Sequence, residues 1–315
     1  MSGTPAHISI LGFGRSGTTW LSDIVSKASG QALLFEPWHP EVMDASRELS
    51  YRSAYSEEES TRVARHLVAV LAKEKRVAWL LRNHLPWPLH ETDPALIGEI
   101  WEQVEILGFK TIRAPMAPDW IVEHFGRRML YVVRHPLAVV ASILRRRNFW
   151  EFGWPDTYEI FARNAFAVHD GATAAALEAF ERRRPARSDV ERIATMWAVT
   201  HAVALPKLEK LGIAVLHYED FYDQPFEAAR RALNQLGLED RGILPTYLFT
   251  PAMTTLRTMH GQGGLKETGG ASIPPDFFWR DTLTGEDQKL VLDVVADFGV
   301  WLYEPDGSKA SATIS

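Results

Sequence analysis

One stretch near the amino terminus constrains the fold more than any other: "HISILGFGRSGTTWLSDIVSKASGQALLFE", residues 7–36. Residues 8–12 are a short apolar run bounded by glycine, the pattern of a buried strand entering a tight turn. Residues 18–28 follow with helical spacing, and Trp20, Leu21, Ile24 and Val25 form one apolar face. A strand that feeds a glycine turn and then a helix N-terminus presents several backbone N–H groups to a single anion. The expectation is an α/β chain with an anion site at its first turn.

The rest of the sequence continues the alternation. Further strands are expected at 31–36, 104–113, 128–134 and 212–221, and helices at 56–75, 137–147, 226–237 and 285–302. Pro136 suits a first helical position, because its missing N–H would have had no helical partner. Helix 56–75 has a serine cap, an early acidic run and late lysines that complement its dipole. Strands alternating with helices predict a parallel central sheet with helices on both faces, in one domain over residues 1–315. Its core spans about 8–303, with short flexible ends. Residues 181–192 read as a charged surface link, and 149–155 and 261–275 as irregular loops.

The chain is mildly acidic, with 34 Lys and Arg against 40 Asp and Glu. No chain-wide basic field invites nucleic acid, so any anion site is built locally. There is no cysteine, which excludes disulfides, thiolate metal ligands and cysteine nucleophiles, and suits a reducing compartment. Residues 1–6 lack the regions of a secretory signal, and no apolar run approaches the roughly 20 residues that span a bilayer. A cytoplasmic protein without a membrane span is expected. The eleven histidines are scattered without metal-site spacing, so metal-independent chemistry is expected. Nothing in the sequence sets the oligomeric state.

Two phosphate-loop patterns overlap in the first turn. Read as Gly12-x4-Gly17-Thr18-Thr19, it is a mononucleotide loop with Thr18 where a lysine neutralises the β- and γ-phosphates. The strand that should end in a metal-holding aspartate ends in Arg134. A kinase or ATPase is disfavoured. Read as Gly12-x-Gly14-x-x-Gly17, it is a dinucleotide fingerprint, with Glu36, 24 residues beyond Gly12, placed for a ribose. A third strand should then follow closely, yet a long helix-rich stretch intervenes. The third reading is a nucleotide with a 5′-phosphosulfate and no γ-phosphate. Such a ligand needs hydroxyls, backbone donors and one cation near its bridging oxygen, and Arg15-Ser16-Gly17-Thr18-Thr19 supplies that set.

Here the sequence resembles the sulfotransferase family, which uses 3′-phosphoadenosine 5′-phosphosulfate (PAPS). The family's 5′ motif is Lys/Arg-Ser-Gly-Thr-Thr-Trp, and "RSGTTW" (15–20) matches it. Its 3′-phosphate motif is an arginine at a strand end and a serine eight residues on, and "RHPLAVVAS" supplies Arg134 and Ser142. Arginine offers a bidentate fork, and the hydroxyl lies towards the positive end of the helix. "HYEDF" (217–221) resembles a strand-ending Tyr-Glu-Asp whose tyrosine, here Tyr218, contacts adenine. "FFWRDTLTGED" resembles the family's C-terminal tryptophan and final helix. The resemblance runs from about 8 to 303. It implies PAPS as co-substrate, held by Arg15, Ser16, Gly17, Thr18 and Thr19 at the 5′ end. Trp20 would stack on adenine, and Arg134 and Ser142 would bind the 3′-phosphate. A further 3′-phosphate cation belongs in a loop before the last helix, where Lys266 is preferred and Arg257 competes.

Sulfuryl transfer resembles phosphoryl transfer, so positioning and electrostatics carry most of the barrier reduction. Arg15 would stabilise charge on the bridging oxygen, and Lys110 matches the family lysine that assists the sulfonate. The phenol and steroid branch places a histidine after a Lys-Thr pair, but in "FKTIRAP" Ile112 and Arg113 stand there. The carbohydrate branches use a glutamate about twenty residues past the 5′ loop. Glu36 in "FEPWHP", 21 residues beyond Arg15, is therefore the expected general base, with His39 in reserve. The structural alternative for Glu36 is a buried carboxylate paired with Arg113. His84, in "RNHLPWP", echoes a family His-Leu-Pro motif but precedes the aligned strand, so a substrate-loop or structural role is expected. The arginines at 145–147 read as a solvated helix face. Trp38, Trp87, Trp150 and Trp154 lie in loop-like segments, where they either stack on a sugar or aromatic acceptor or pack in the core. The expected activity is sulfonate transfer from PAPS to a hydroxyl of a carbohydrate or a glycosylated or small-molecule alcohol. The alternatives are an NAD(P)-dependent oxidoreductase of the dinucleotide-binding type and a non-catalytic nucleotide-binding protein of the same fold.

Overall fold

The computed structural model describes residues 7–85, 92–145, 155–168, 173–240, 242, 248 and 278–304. Among them β1 (Ile8–Gly12), β2 (Ala32–Phe35), β3 (Ile106–Thr111), β4 (Met129–Val133) and β5 (Val215–His217) pair in parallel, in the order β2-β3-β1-β4-β5. The principal helices are α1 (Thr18–Ser29), α2 (Glu57–Leu71), α3 (Pro94–Gln103), α4 (Pro118–Phe125) and α5 (Pro136–Leu144). They continue with α6 (Pro155–Ala165), α7 (Ala174–Arg183), α8 (Asp189–Leu211), α9 (Pro225–Gln235) and α10 (Gly285–Asp297).

Helices cover both faces of the sheet. On one, Trp20, Leu21 and Ile24 of α1 and Ala229 and Leu233 of α9 pack with Ile8, Ile10, Leu130 and Val132. On the other, α2 to α8 and α10 pack with Leu11, Phe109, Tyr131 and Val133. A strand buried on both sides has no polar face, which is why the strands read as continuous apolar runs.

The sheet order decides against the dinucleotide reading. That fold runs 3-2-1-4-5-6, with its second strand beside its first. Here β3 lies between them: Ile10 of β1 and Phe35 of β2 both pair with Lys110. Glu36 therefore leaves the sheet two strand spacings from the glycine turn, roughly 10 Å.

Several expected boundaries shift for local reasons. Ser56 caps α2 in a reciprocal box with Glu59, but the helix ends at Leu71, so no lysine lies in its last turn. The expected strand at 212–221 shrinks to three residues, because Gly212 is the left-handed C-cap of α8 and a helical turn begins at Asp220. The last helix stops at Asp297 rather than 302, and Gly299 beyond it has φ 67°.

Residues 181–192 are not a surface link: 181–183 close α7 and 189–192 open α8, with Ser188 Oγ accepting from Glu191 N–H at 3.1 Å. The 23-residue α8 is the one long helix that the sequence pattern hides. Nine consecutive residues, 193–201, are buried, so no polar face alternates with an apolar one. Pro206 inside it reads locally as a break.

Candidate active site

Each parallel strand delivers its end to the same edge of the sheet. Arg15 follows β1, Glu36 follows β2, Ile112 and Arg113 follow β3, Arg134 follows β4, and Tyr218 follows β5. Open α/β sheets bind ligands outside those carboxyl ends, where connections depart in opposite directions. That place is beside β1: its connection runs outward past β3 to β2, while the connection of β3 crosses to β4.

The turn after β1 bends through two left-handed residues, Arg15 with φ 68° and Gly17 with φ 88°. Ser16 N–H closes it by donating to the Phe13 carbonyl at 3.2 Å. Gly17 is the N-cap of α1, and no side chain caps the helix there. The first N–H groups of any helix lack an intrahelical acceptor, so those of Thr18, Thr19 and Trp20 suit an anion. The Ser16 hydroxyl is buried and makes no hydrogen bond among the described residues. A Cβ at Gly17 would stand 2.3 Å from the Tyr218 ring, so only glycine lets that ring lie against the turn.

Side chains from distant parts of the chain close on this turn. Arg15 Nε donates to Ser142 Oγ at 2.9 Å, and Arg134 Nη1 donates to the Arg15 carbonyl at 3.2 Å. The Arg134 guanidinium carbon lies 4.4 Å from the Tyr218 ring centre, and the Arg134 carbonyl accepts from Trp197 Nε1 at 3.2 Å. The next residue is anchored as well: His135 N–H donates to Glu219 Oε1 at 2.8 Å, and the Tyr303 hydroxyl donates to Glu219 Oε2 at 2.7 Å. An uncapped helix end, a buried hydroxyl, two guanidiniums and an aromatic face form a donor set that fits a nucleotide with two anionic ends.

The profile of the sulfotransferase family matches residues 5–241, three quarters of the chain, including both phosphate motifs. The chain belongs to the sulfotransferase family. Similar solved structures include the sulfotransferase domain of the Synechococcus PCC 7002 olefin synthase, at 17% identity and TM-score 0.47, covering 93% of this chain and 94% of that one. A sulfotransferase domain from the curacin biosynthetic pathway has 16% identity and TM-score 0.44 over 93% and 98% of the two chains. Retinol dehydratase in complex with retinol and PAP has 15% identity and TM-score 0.44 over 95% and 82%. No curated protein matches the sequence. The family match ends before the "FFWRDTLTGED" segment.

In this sulfotransferase a second cluster lies at the ends of β2 and β3. Glu36 is buried with φ 50°, an unusual conformation for a residue other than glycine. Lys110 Nζ donates to its Oε1 at 2.6 Å, the Thr111 hydroxyl to Oε2 at 3.1 Å, and Ile112 N–H reaches both oxygens at 3.1 Å. Strand register causes the meeting, since Phe35 pairs with Lys110 and Glu36 N–H donates to the Lys110 carbonyl at 3.0 Å. Burial pushes the Lys110 ammonium below its ordinary range, and the charge and hydrogen bond of Glu36 oppose that shift. Lys110 is thus a buried ionic partner of Glu36. Arg113, the partner expected of a structural Glu36, reaches the cluster through its backbone N–H, which donates to Thr111 Oγ1 at 3.0 Å.

His39 stacks on Trp79, ring centres 3.8 Å apart, and its Nδ1 accepts from Glu41 N–H at 3.2 Å. Burial, then the charges of Arg113, Arg82 and Lys110, push its pKa down to about 3. Trp20 is in the core, edge-on to Phe221 and Tyr218 with centres 5.2 and 6.2 Å away. The ring meeting both Gly17 and Arg134 is that of Tyr218. Trp38 is fully buried beside Phe109, which corrects any expectation that it stacks on an acceptor. His84 lines a cavity of about 580 Å³ with Ala32 and Val104, where β2 and β3 begin, away from the candidate chemistry. Lys266, Arg257, Trp87, Trp150, Trp154, Arg146 and Arg147 lie outside the described residues; Arg145 is exposed, in keeping with a solvated helix face.

Two residues near the cluster carried no sequence signal. Arg82 places its guanidinium 4.5 Å from the Trp79 ring and 5.5 Å from the Phe35 ring. Tyr51 has φ 61° and a hydroxyl that accepts from Arg113 Nη1 at 3.3 Å. A left-handed tyrosine has no signature in a sequence. Among the described residues no helix is long and apolar enough to cross a membrane, and no group of three or more metal-ligating side chains occurs.

Proposed function

We propose that this sulfotransferase transfers the sulfonate of PAPS to a hydroxyl of a carbohydrate or another small-molecule alcohol. The observation that carries the reading is the meeting of Arg15, Arg134 and Ser142 over the uncapped start of α1. PAPS, when bound, supplies a sulfonate joined by an anhydride bond to a phosphate leaving group. Ser16, Gly17, Thr18 and Thr19 hold the 5′ end through hydroxyls and backbone N–H groups. Arg134, Ser142 and Lys266 take the 3′-phosphate, and Tyr218, backed by Trp20, takes the adenine. Arg15 serves the bridging oxygen.

Glu36 removes the proton of the acceptor hydroxyl. Both its oxygens accept hydrogen bonds at rest, so Lys110 turns away first and becomes available as a cation for the transferred group. His39 is the reserve base.

Thermal unfolding with adenosine 3′,5′-bisphosphate (PAP), NAD or Mg-ATP tests the reading. A ligand at 100 times its Kd adds about 2.7 kcal/mol. Stabilisation by PAP is expected, with labelled sulfonate moving from PAPS to an acceptor in the presence of EDTA. Stabilisation by NAD and not by PAP overturns the proposal. PAP binding without transfer to any acceptor in a broad panel would mean a nucleotide-binding protein without catalysis.

A further inference from the structure

A cavity of about 290 Å³ is walled by residues on both sides of Glu36. On one side is His39, whose N–H donates to the Glu36 carbonyl at 2.9 Å. On the other is Arg113, whose N–H donates to the Thr111 hydroxyl that in turn donates to Glu36. The remaining wall combines the hydroxyl-bearing Ser50, Tyr51 and Thr157 with apolar Pro40 and Ile160. Of the charged lining residues described, Arg113 is buried, while Arg47 and Asp156 are exposed.

Arg113 meets Tyr51 twice, once through its side chain and once through its backbone. Its Nη1 donates to the Tyr51 hydroxyl at 3.3 Å, and Tyr51 N–H donates to the Arg113 carbonyl at 2.5 Å. The second bond fixes Tyr51 in its left-handed conformation. Four described residues other than glycine have positive φ, and three of them stand at the strand ends or in this cavity: Arg15 in the turn after β1, Glu36 directly after β2, and Tyr51 in the cavity wall. Such strain persists only where its surroundings enforce it, and it gathers at ligand sites. Burial first, and then the charges of Arg113, Arg82 and Lys110, disfavour the protonated form of His39.

We infer that this cavity holds the acceptor and that Arg113 grips an oxyanion on it, so that the acceptor is an alcohol carrying its own carboxylate or sulfate group. The inference rests on the sulfotransferase reading above and adds the substrate class to it. A guanidinium fork matches either oxyanion with two parallel hydrogen bonds. The volume lies at the small end of ligand pockets, about 300–1,000 Å³, and suits one sugar unit or a compact hydroxy acid. The oxyanion on Arg113 would fix the acceptor beside Glu36, with its hydroxyl presented to that carboxylate.

The test uses matched pairs: 4-nitrophenyl β-D-glucuronide against the glucoside, and glucose 6-sulfate against glucose. Calorimetric titration of each into the PAP-loaded protein reads binding without chemistry, and labelled PAPS reads kcat/KM. At least one charged member should bind about tenfold or more tightly than its neutral counterpart, and the pair that shows the larger ratio identifies the oxyanion. Arg113→Gln should bring that ratio close to one while the PAP melting shift remains. If the glutamine variant does not fold, Arg113→Lys keeps the charge without the fork and should retain only part of the ratio. Equal binding of charged and neutral members overturns the inference, as does a ratio that survives Arg113→Gln. Failure of all four to bind a protein that does bind PAP overturns it too. Failure of PAP itself to bind instead removes the sulfotransferase reading on which the inference stands.

Discussion

Arg134 joins three parts of the molecule through one residue. Its side chain donates to the Arg15 carbonyl and lies over the Tyr218 ring, while its own carbonyl is held by Trp197. If it also grips the 3′-phosphate, Arg134→Ala should cost about 1.5–3 kcal/mol, roughly ten- to a hundredfold in PAP affinity. Unchanged affinity by calorimetry would place the 3′ end elsewhere. Glu36→Gln should lower transfer by about 10²–10⁴ while PAP still binds. It also leaves the buried Lys110 without its carboxylate, a loss on the order of 3–5 kcal/mol. Adding Lys110→Met should recover melting temperature but not activity. If the double variant regained activity, Glu36 would be a structural carboxylate and nothing more. Its candidacy followed from the family resemblance; its engagement by Lys110 did not, because β3 pairs with β2 only in the folded sheet.

At the scale of elements, the glycine turn and α1 behave as one unit with the end of β5. Gly17→Ala combines a left-handed φ with a Cβ inside contact distance of Tyr218. It should lower both the melting temperature and, by more than tenfold, the affinity for PAP. A variant that bound PAP normally would show that the turn can move without harm to the site. Elements with local signals were legible beforehand: the α1 turn, the Ser56 cap of α2, and Pro136 opening α5. α8 was not, because its burial comes from neighbours on every side and leaves no periodic stripe. Yet α8 carries the Trp197 that holds Arg134, so a helix without a sequence signature positions a residue that has one.

Across the whole molecule, burial also sets the response to acid. His201 is fully buried, and its pKa falls to about 3, chiefly through desolvation and then through His217. Unfolded, it titrates near the ordinary 6.5. Between those values the unfolded chain binds the extra proton, so stability falls as pH falls, by up to about 1.4 kcal/mol per pH unit. Above pH 6.5 the group contributes no slope. Melting temperature should therefore drop from pH 6.5 to 4.5, and His201→Asn should flatten that drop; identical slopes in the two proteins would assign it to other groups. The same separation of local from global applies to identity. The sequence alone determined that the chain is α/β, that its first turn has the form of an anion site, and that Arg134 and Ser142 stand at the spacing of a second motif, because glycine geometry, residue type and short spacings are local. Tertiary structure alone decided that β3 lies between β1 and β2, that Lys110 meets Glu36, and that Arg15 touches Ser142 across 127 positions. Sheet order and long-range contact arise from how buried faces pack together, and no window of neighbouring residues contains that information.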